Sequence, residues 1–241
     1  MNEQMMHDNQ ALLAFWDSFF ALPEEAKEGA RQEGIGPWEA LAPSEKLLSA
    51  ACAFGAKKNV LDFGCGNGWA AIAAAKSGCE NVTAADPAPN AAEMTRFLSE
   101  LLGVSDRVHP VCSGEAWLKT VPVDSFDGFF CSNVLDTVPT ETAEEIIREA
   151  ARIVTEDAEV LVGLNHWLSP EAAAEKGMAL TDGCKVYMDG VLRLVSRTDA
   201  EWEAIFAPYF EVESLTYFAW QGEEEEKRRL FRLRRRPVTQ E

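Results

Sequence analysis

The chain has 241 residues, of which 47% are hydrophobic, and a formal net charge of −18. That length suits one domain with appendages, or a large domain beside a small one, and no apolar run approaches the roughly 20 residues of a membrane-spanning helix. So large an acidic excess repels polyphosphates at long range and argues against a general nucleic-acid binder.

The opening residues, MNEQMMHDNQ, are polar and lack the basic-then-apolar order of a secretion signal. Residues 8–21 have helical spacing, with one apolar face made by Leu12, Phe15, Trp16, Phe19 and Phe20. A glycine- and proline-containing linker is expected over 29–43, then a helix over 44–54 with Ser44 as its cap. An apolar strand over 60–63 runs into Gly64, Gly66 and Gly68, and a small-residue helix over 70–75 follows. A second strand over 81–85 ends at Asp86. Further along come a helix over 88–102, a strand over 107–112, a short helix over 114–118 and a strand over 126–131. An amphipathic helix over 140–154 is expected to be capped by Thr140, with Glu141 and Glu144 in its first turn. The run at 158–164 is almost wholly apolar, as a strand covered on both faces should be.

After His166 the alternation breaks. Residues 168–197 hold an alanine-rich helical turn and a hairpin signal at Asp189-Gly190. A helix over 199–206 and strands over 210–219 and 229–235 close the pattern. The last strand lies in KRRLFRLRRR, where Phe231 and Leu233 alternate with Arg232 and Arg234; the other reading of that segment is a basic tail for RNA. Repeated strand-helix units imply a parallel sheet with right-handed crossovers. The six cysteines (Cys52, Cys65, Cys79, Cys112, Cys131 and Cys184) are scattered without metal spacing, which fits reduced thiols in a cytoplasmic protein.

The strand, glycine turn and helix at 59–74 bring backbone close to a nucleotide-like ligand. A carboxylate at Asp86 suits the two hydroxyls of a ribose. A dinucleotide loop needs GxGxxG, yet here the third glycine comes one place early and Trp69 holds the required position. Asp62 would repel a pyrophosphate and suits an ammonium. The ligand that combines ammonium, sulfonium and ribose without phosphate is S-adenosylmethionine, and the rival is a nicotinamide dinucleotide.

Four segments carry a resemblance: LDFGCGNG at 61–68, VTAADP at 82–87, SGEAWLKTVPVDSFD at 113–127 and CSNVLDTVP at 131–139. Over residues 45–236 the chain resembles the class I S-adenosylmethionine-dependent methyltransferases. The resemblance implies a Rossmann-like three-layer α/β sandwich on a mostly parallel seven-stranded sheet, its last strand antiparallel between two others. The residue pattern itself divides the chain into an amino-terminal helical extension at 1–43, the main domain at 44–241 and an inserted hairpin at about 168–197 over the open end of the sheet.

Carried onto this sequence, the resemblance places Gly64, Gly66 and Gly68 beside the methionine moiety of the donor, and Asp62 near its ammonium. Asp86 would hold the ribose, Pro87 and the Ala116 amide the adenine ring, and Glu115 the adenine amino group. Ser132 and Asn133 would line the methyl-bearing side. Bland alternatives stand beside these: Asp62 as cap of the glycine turn, Asp86 as cap of the next helix, Glu115 as a solvated helix residue. His166 is the candidate base, with Asp136 as fallback, and a packed loop histidine is its alternative. Trp16, Trp69 and Trp167 could face the sulfonium or an aromatic acceptor, or pack in the core. The fourth motif lacks an Asn- or Asp-Pro-Pro-aromatic signature, so a metal-free reaction on a small molecule is expected, yielding S-adenosylhomocysteine. Two rivals remain: an RNA-modifying enzyme of the same fold, and a binding module without catalysis. Oligomeric state is not legible.

Overall fold

The computed structural model describes residues 3–237. Its centre is a seven-stranded sheet. Five strands are parallel: β1 (Asn59–Phe63), β2 (Asn81–Asp86), β3 (Val108–Cys112), β4 (Phe126–Ser132) and β5 (Val154–Leu164). A three-stranded sheet is inserted after β5, made of β6 (Leu180–Thr181), β7 (Lys185–Met188) and β8 (Val191–Val195). The main sheet resumes with β9 (Phe210–Phe218) and β10 (Arg228–Arg235), and its order is β3-β2-β1-β4-β5-β10-β9. The last strand, β10, runs antiparallel between β5 and β9, as expected.

Alternation along β1 shows how the sheet is covered. Leu61 and Phe63 enter a core with α7 (Thr140–Ile153) and α9 (Asp199–Phe206). Val60 faces the opposite core with α3 (Glu45–Ala53) and α4 (Trp69–Lys76). Asp62 alternates onto that second face, beneath α4. Residues Ala70 through Ala75 of α4 are all buried, since five alanines and one isoleucine let the helix lie close to the strands. Phe231 of β10 is fully buried beside Phe206, and each such ring stabilises the fold by roughly 1.5–3 kcal/mol.

The structure corrects four local expectations. The linker at 29–43 contains the end of α2 (Glu24–Glu33) and a 3-10 turn at Trp38–Leu41. Here Gly29 sits inside a helix held by Arg31 to Glu24 and Lys27 to Glu93 ion pairs, so it breaks nothing. Thr140 is not a cap: Pro139 takes that position, and the Thr140 hydroxyl accepts from Arg197 instead. Ser44 holds the cap position of α3 without a side-chain hydrogen bond. The strand expected over 158–164 starts at Val154, directly after α7, because Val154 pairs with Phe126. The Asp189-Gly190 turn is present, both residues with positive φ (52° and 77°), but its hairpin gains β6 as a third strand. All six cysteines are free, and Cys112 is exposed. Among the described residues no helix is long and apolar enough to cross a membrane.

Candidate functional site

A cavity of about 820 Å³ opens at the carboxyl ends of β1, β2 and β4, roofed by α1 (Glu3–Phe19) and touched by β8. Ligand sites in open α/β sheets lie at these strand ends, and pockets for small molecules span about 300–1,000 Å³. The volume is near the top of that range, enough for two bound molecules side by side.

The turn after β1 forms the floor. Gly64, Gly66 and Gly68 all have positive φ (72°, 55° and 76°), a region closed to most side chains. Their neighbours close it further. A Cβ on Gly64 would stand 2.1 Å from Cγ2 of Val134, one on Gly66 2.8 Å from the Phe20 ring, and one on Gly68 2.5 Å from Thr95. The glycines are therefore demanded by the protein's own packing as well as by any ligand.

Six amides of this turn and of the helix start after it are already committed. Gly64 and Cys65 donate to the Ala85 carbonyl at 2.8 and 3.1 Å, and Gly68 donates to the Cys65 carbonyl at 2.8 Å. Gly66 donates to Asp86 Oδ2 at 3.0 Å, Trp69 to Asn67 Oδ1 at 3.3 Å, and Ala71 to Asp62 Oδ2 at 3.1 Å. The start of α4 is thus capped by the chain's own side chains. A pyrophosphate is held by free amides at such a helix end, and here Asn67 and Asp62 take two of them, those of Trp69 and Ala71.

Asp62 is fully buried and not part of the cavity wall. Burial raises its pKa to about 7, against the pull of the Ala71 amide, and the charge of Asp86 adds to the rise. Asp86 is on the wall. Its Oδ1 accepts from Ala88 at 2.9 Å, so it starts the next helix while also bracing the glycine turn. Burial raises its pKa as well. Each oxygen keeps a further lone pair for a ligand.

The end of β3 is stitched to this corner. Ser113 donates to the Asp86 carbonyl at 2.8 Å, which sets Gly114 and Glu115 beside Pro87 on the wall. Glu115 opens the four-residue helix α6 (Glu115–Leu118); Ala116, next to it, is exposed and off the wall. On the other side Ser132 and Asn133 line the cavity. Gly163 makes room for Ser132, because a Cβ there would lie 2.3 Å from its hydroxyl oxygen. Asn133 has φ 60°, and its Oδ1 is buried without a hydrogen-bond partner. A buried acceptor left unpaired costs about 1–3 kcal/mol, so a wall residue in that state is suited to meeting a donor brought by a ligand.

His166 is not brought to the wall. The neighbouring Asn165 is, with its amide donating to Asp136 Oδ2 at 2.6 Å and its carbonyl accepting from Arg229 at 2.9 Å. His166 is half-buried, and burial, then Lys176 and Arg228, push its imidazole below the usual pKa, so it is neutral at neutral pH. Asp136 is wholly buried behind the wall, its pKa raised by burial. Of the tryptophans, Trp16 and Trp69 line the cavity, while Trp167 is exposed. Several wall residues carried no signature in the sequence, notably Thr137, Thr142, Arg193 and Trp220. The apolar face of the first helix and the insertion at 168–197 were the hints at what closes the cavity. Among the described residues no three His, Cys, Asp or Glu side chains gather as a metal site would require.

Comparisons with known proteins agree with this fold. Residues 60–157 match the methyltransferase domain family. A stretch of 51 residues is 47% identical to ribosomal protein L11 methyltransferase of Photobacterium profundum, covering 21% of this chain and 17% of that protein. Among solved structures, mitomycin 7-O-methyltransferase is 18% identical with a TM-score of 0.58, covering 92% of this chain and 60% of the other. Magnesium protoporphyrin IX methyltransferase of Synechocystis PCC 6803, solved with S-adenosylhomocysteine, is 18% identical with a TM-score of 0.59 over 79% of this chain and 82% of the other. An N-methyltransferase of Bradyrhizobium japonicum, solved with the same product, is 16% identical with a TM-score of 0.56 over 80% and 84%. At such identities these structures establish the fold. The chain spans under a fifth of the first relative's length and less than two thirds of mitomycin methyltransferase.

Proposed function

We propose that this chain, whose residues 60–157 match the methyltransferase domain family on a seven-stranded α/β sheet, transfers a methyl group from S-adenosylmethionine to a small-molecule acceptor. The observation that carries the reading is the capped glycine turn. With Asn67 and Asp62 holding the Trp69 and Ala71 amides at the start of α4, the corner favours a ligand that is cationic and free of phosphate. An acid at Asp62, directly beneath the turn, adds to this, because a dinucleotide would bring its pyrophosphate there.

In this reading Asp86 accepts from the ribose hydroxyls, Pro87 packs on the adenine face, and Glu115 with the Ala116 amide meets its edge. Gly64 and Gly66 let the methionine end approach the backbone, Gly68 starts α4, and Asp62 braces the turn from beneath through the Ala71 amide. Ser132 and Asn133 take the side toward the methyl group, where the unpaired Asn133 Oδ1 awaits a donor. Bound there, the donor supplies a sulfonium-activated methyl that needs no further activation by the protein.

The protein's task is then alignment and exclusion of water. Phe20 sits over Gly66, and Trp16 and Leu12 of α1 continue the cover. Holding a nucleophile in line can reach effective molarities of about 10⁵–10⁸ M. His166 and Asp136 enter through Asn165, whose place on the wall they adjoin; positioning rather than proton removal is the role we give them. The amino-terminal segment 1–43 serves as a lid, and the insertion at about 168–197 as the far wall of the acceptor pocket.

Calorimetry with S-adenosylmethionine and S-adenosylhomocysteine tests the donor, and label from a methyl-labelled donor tests the acceptor. Heat with both compounds, and label in the low-molecular-weight fraction of a metabolite extract, are expected. Heat with a pyridine dinucleotide alone would refute the donor assignment. Label confined to RNA or protein would refute the acceptor class, and donor binding without turnover of any fraction would point to a binding module.

A further inference from the structure

Resting on the reading of the cavity as a methyl-transfer site, we propose that the acceptor carries an anionic group, a carboxylate or its like, on an apolar frame, and that Arg193 binds it. The donor corner leaves the part of the cavity between α1, the start of α7 and β8. That part is walled mainly by Leu12, Leu13, Trp16, Val138 and Ile146, with Arg193 reaching in from β8.

Arg193 is half-buried, with its guanidinium carbon 3.9 Å from the Phe15 ring centroid and 5.7 Å from that of Trp16. A guanidinium laid on a ring keeps its N–H donors in its own plane, at the rim. None of those donors finds an acceptor among the described residues, and no carboxylate forms an ion pair with it. The chain has 40 acids for 22 basic residues, and the five arginines in β10 each have an acidic partner. The acids of α1 near those rings are taken: Asp17 accepts from the Asn90 amide at 2.8 Å, and Asp8 is engaged by Tyr187 at 2.9 Å and Gln4 at 2.8 Å. Partly buried charges are normally paired. An arginine left without an anion on the wall of an apolar cavity is a preformed fork for one.

The competing account is that Arg193 only staples the inserted sheet to α1 through its cation–π contacts. The two accounts differ in what they predict for charge. The test uses protein saturated with S-adenosylhomocysteine and three matched pairs of probes: 4-hydroxycinnamate, indole-3-acetate and decanoate, each against its primary amide. Calorimetry should show at least one acid binding tenfold or more tighter than its amide. Arg193→Gln should abolish that preference, Arg193→Lys should retain part of it, and affinity for S-adenosylhomocysteine should be unchanged in both. A staple alone would make Arg193→Gln weaken acid and amide equally; that result overturns the proposal, as does a wild type that binds amides as well as acids or binds neither. If S-adenosylhomocysteine itself fails to bind, the donor reading falls, and the acid-to-amide ratio on the ligand-free protein still decides the role of Arg193.

Discussion

The amide of Gly66 donates to Oδ2 of Asp86 at 3.0 Å, linking the glycine turn after β1 to the end of the neighbouring parallel strand β2. The same carboxylate takes the Ala88 amide on its other oxygen. Asp86 therefore shapes the donor corner before any ligand arrives. Asp86→Asn has only one acceptor oxygen, so its amide nitrogen must face one of the two backbone N–H groups. Denaturant unfolding should show a loss of about 1–3 kcal/mol. Hydrogen bonds to a charged partner contribute about 1.5–3 kcal/mol, so donor affinity should fall roughly 10- to 100-fold. Calorimetry that finds unchanged affinity would remove Asp86 from the site.

Gly64 and Val134 are a second pair to test together. Alanine at 64 must adopt φ near 72° and place its Cβ 2.1 Å from a Val134 methyl. The backbone conformation costs about 1–2 kcal/mol and the overlap about 1–3 kcal/mol. Val134→Ala deletes the clashing methyl and leaves the backbone strain. In a double-mutant cycle Gly64→Ala should cost at least 1 kcal/mol less beside Val134→Ala than alone. Strict additivity would mean that the methyl group has room to move aside.

Much of this was legible beforehand, and unevenly. The strand, glycine bend and helix at 59–76 were readable because three glycines, an apolar run and an alanine tract each permit few backbone solutions. The placement of β10 between β5 and β9 followed from the resemblance, not from the residues themselves. Asp62 shows the limit. Its spacing before Gly64 is visible in the sequence, but the Ala71 amide it caps belongs to the helix that packs over β1. His166 shows another. Position just past β5 suggests the open end of the sheet, yet a turn of one residue there exchanges His166 for Asn165 on the wall. Arg193 had no signature at all, because its meaning depends on Phe15 and Trp16, 178 and 177 positions away in sequence.

Asp62 gives the stability a defined pH dependence. Its carboxyl ionises near 3.8 when unfolded and near 7 when folded. Between those values the native state holds the extra proton, so the contribution is full below about pH 4 and is lost as pH rises toward 7. The slope from one such group is at most about 1.4 kcal/mol per pH unit. Asp86 and Asp136 are shifted in the same direction and add to it. Asp62→Asn keeps an oxygen for the Ala71 amide and has no proton to lose. Its stability measured from pH 4 to 8 should decline less steeply, and above pH 7 it should exceed the wild type. An identical pH profile would show that Asp62 ionises normally in the fold.

The lid is tethered at one point that can be cut. Asp17 Oδ1 accepts from the Asn90 amide at 2.8 Å, and the Asn90 side chain donates back to the Asp17 carbonyl at 3.0 Å. These bonds join the end of α1 to the start of α5 (Pro89–Leu101). Removing the carboxylate by Asp17→Ala should release about 1 kcal/mol of that attachment, leaving the main sheet untouched. Hydrogen exchange read by mass spectrometry should speed up several-fold over residues 3–20 and stay constant in β1, β4 and β5. Equal protection in the variant would mean that the remaining contacts of α1, among them Asp8 with Tyr187 and Asn9 with Thr142, hold it over the cavity without the Asp17 carboxylate.

The basic carboxyl-terminal segment offers a test of the nucleic-acid rival. Its arginines are consumed within the fold: Arg228 by Glu223, Arg229 by Asp199, Arg232 by Glu159, Arg234 by Glu211 and Glu213, and Arg235 by Asp124. Arg229 is almost fully buried, and Arg228 lies 3.3 Å over the Trp220 ring while holding Asn165 at the cavity wall. A phosphate backbone would have to displace these acids against a net charge of −18. Non-specific binders reach about 10⁻⁴–10⁻⁶ M at physiological salt and tighten steeply as salt falls. Fluorescence anisotropy with labelled single- and double-stranded RNA at low salt should therefore detect no binding in that range. A dissociation constant of that order which weakened with a steep salt slope would show that the segment leaves its acidic partners to meet phosphate, and would return the RNA reading to first place.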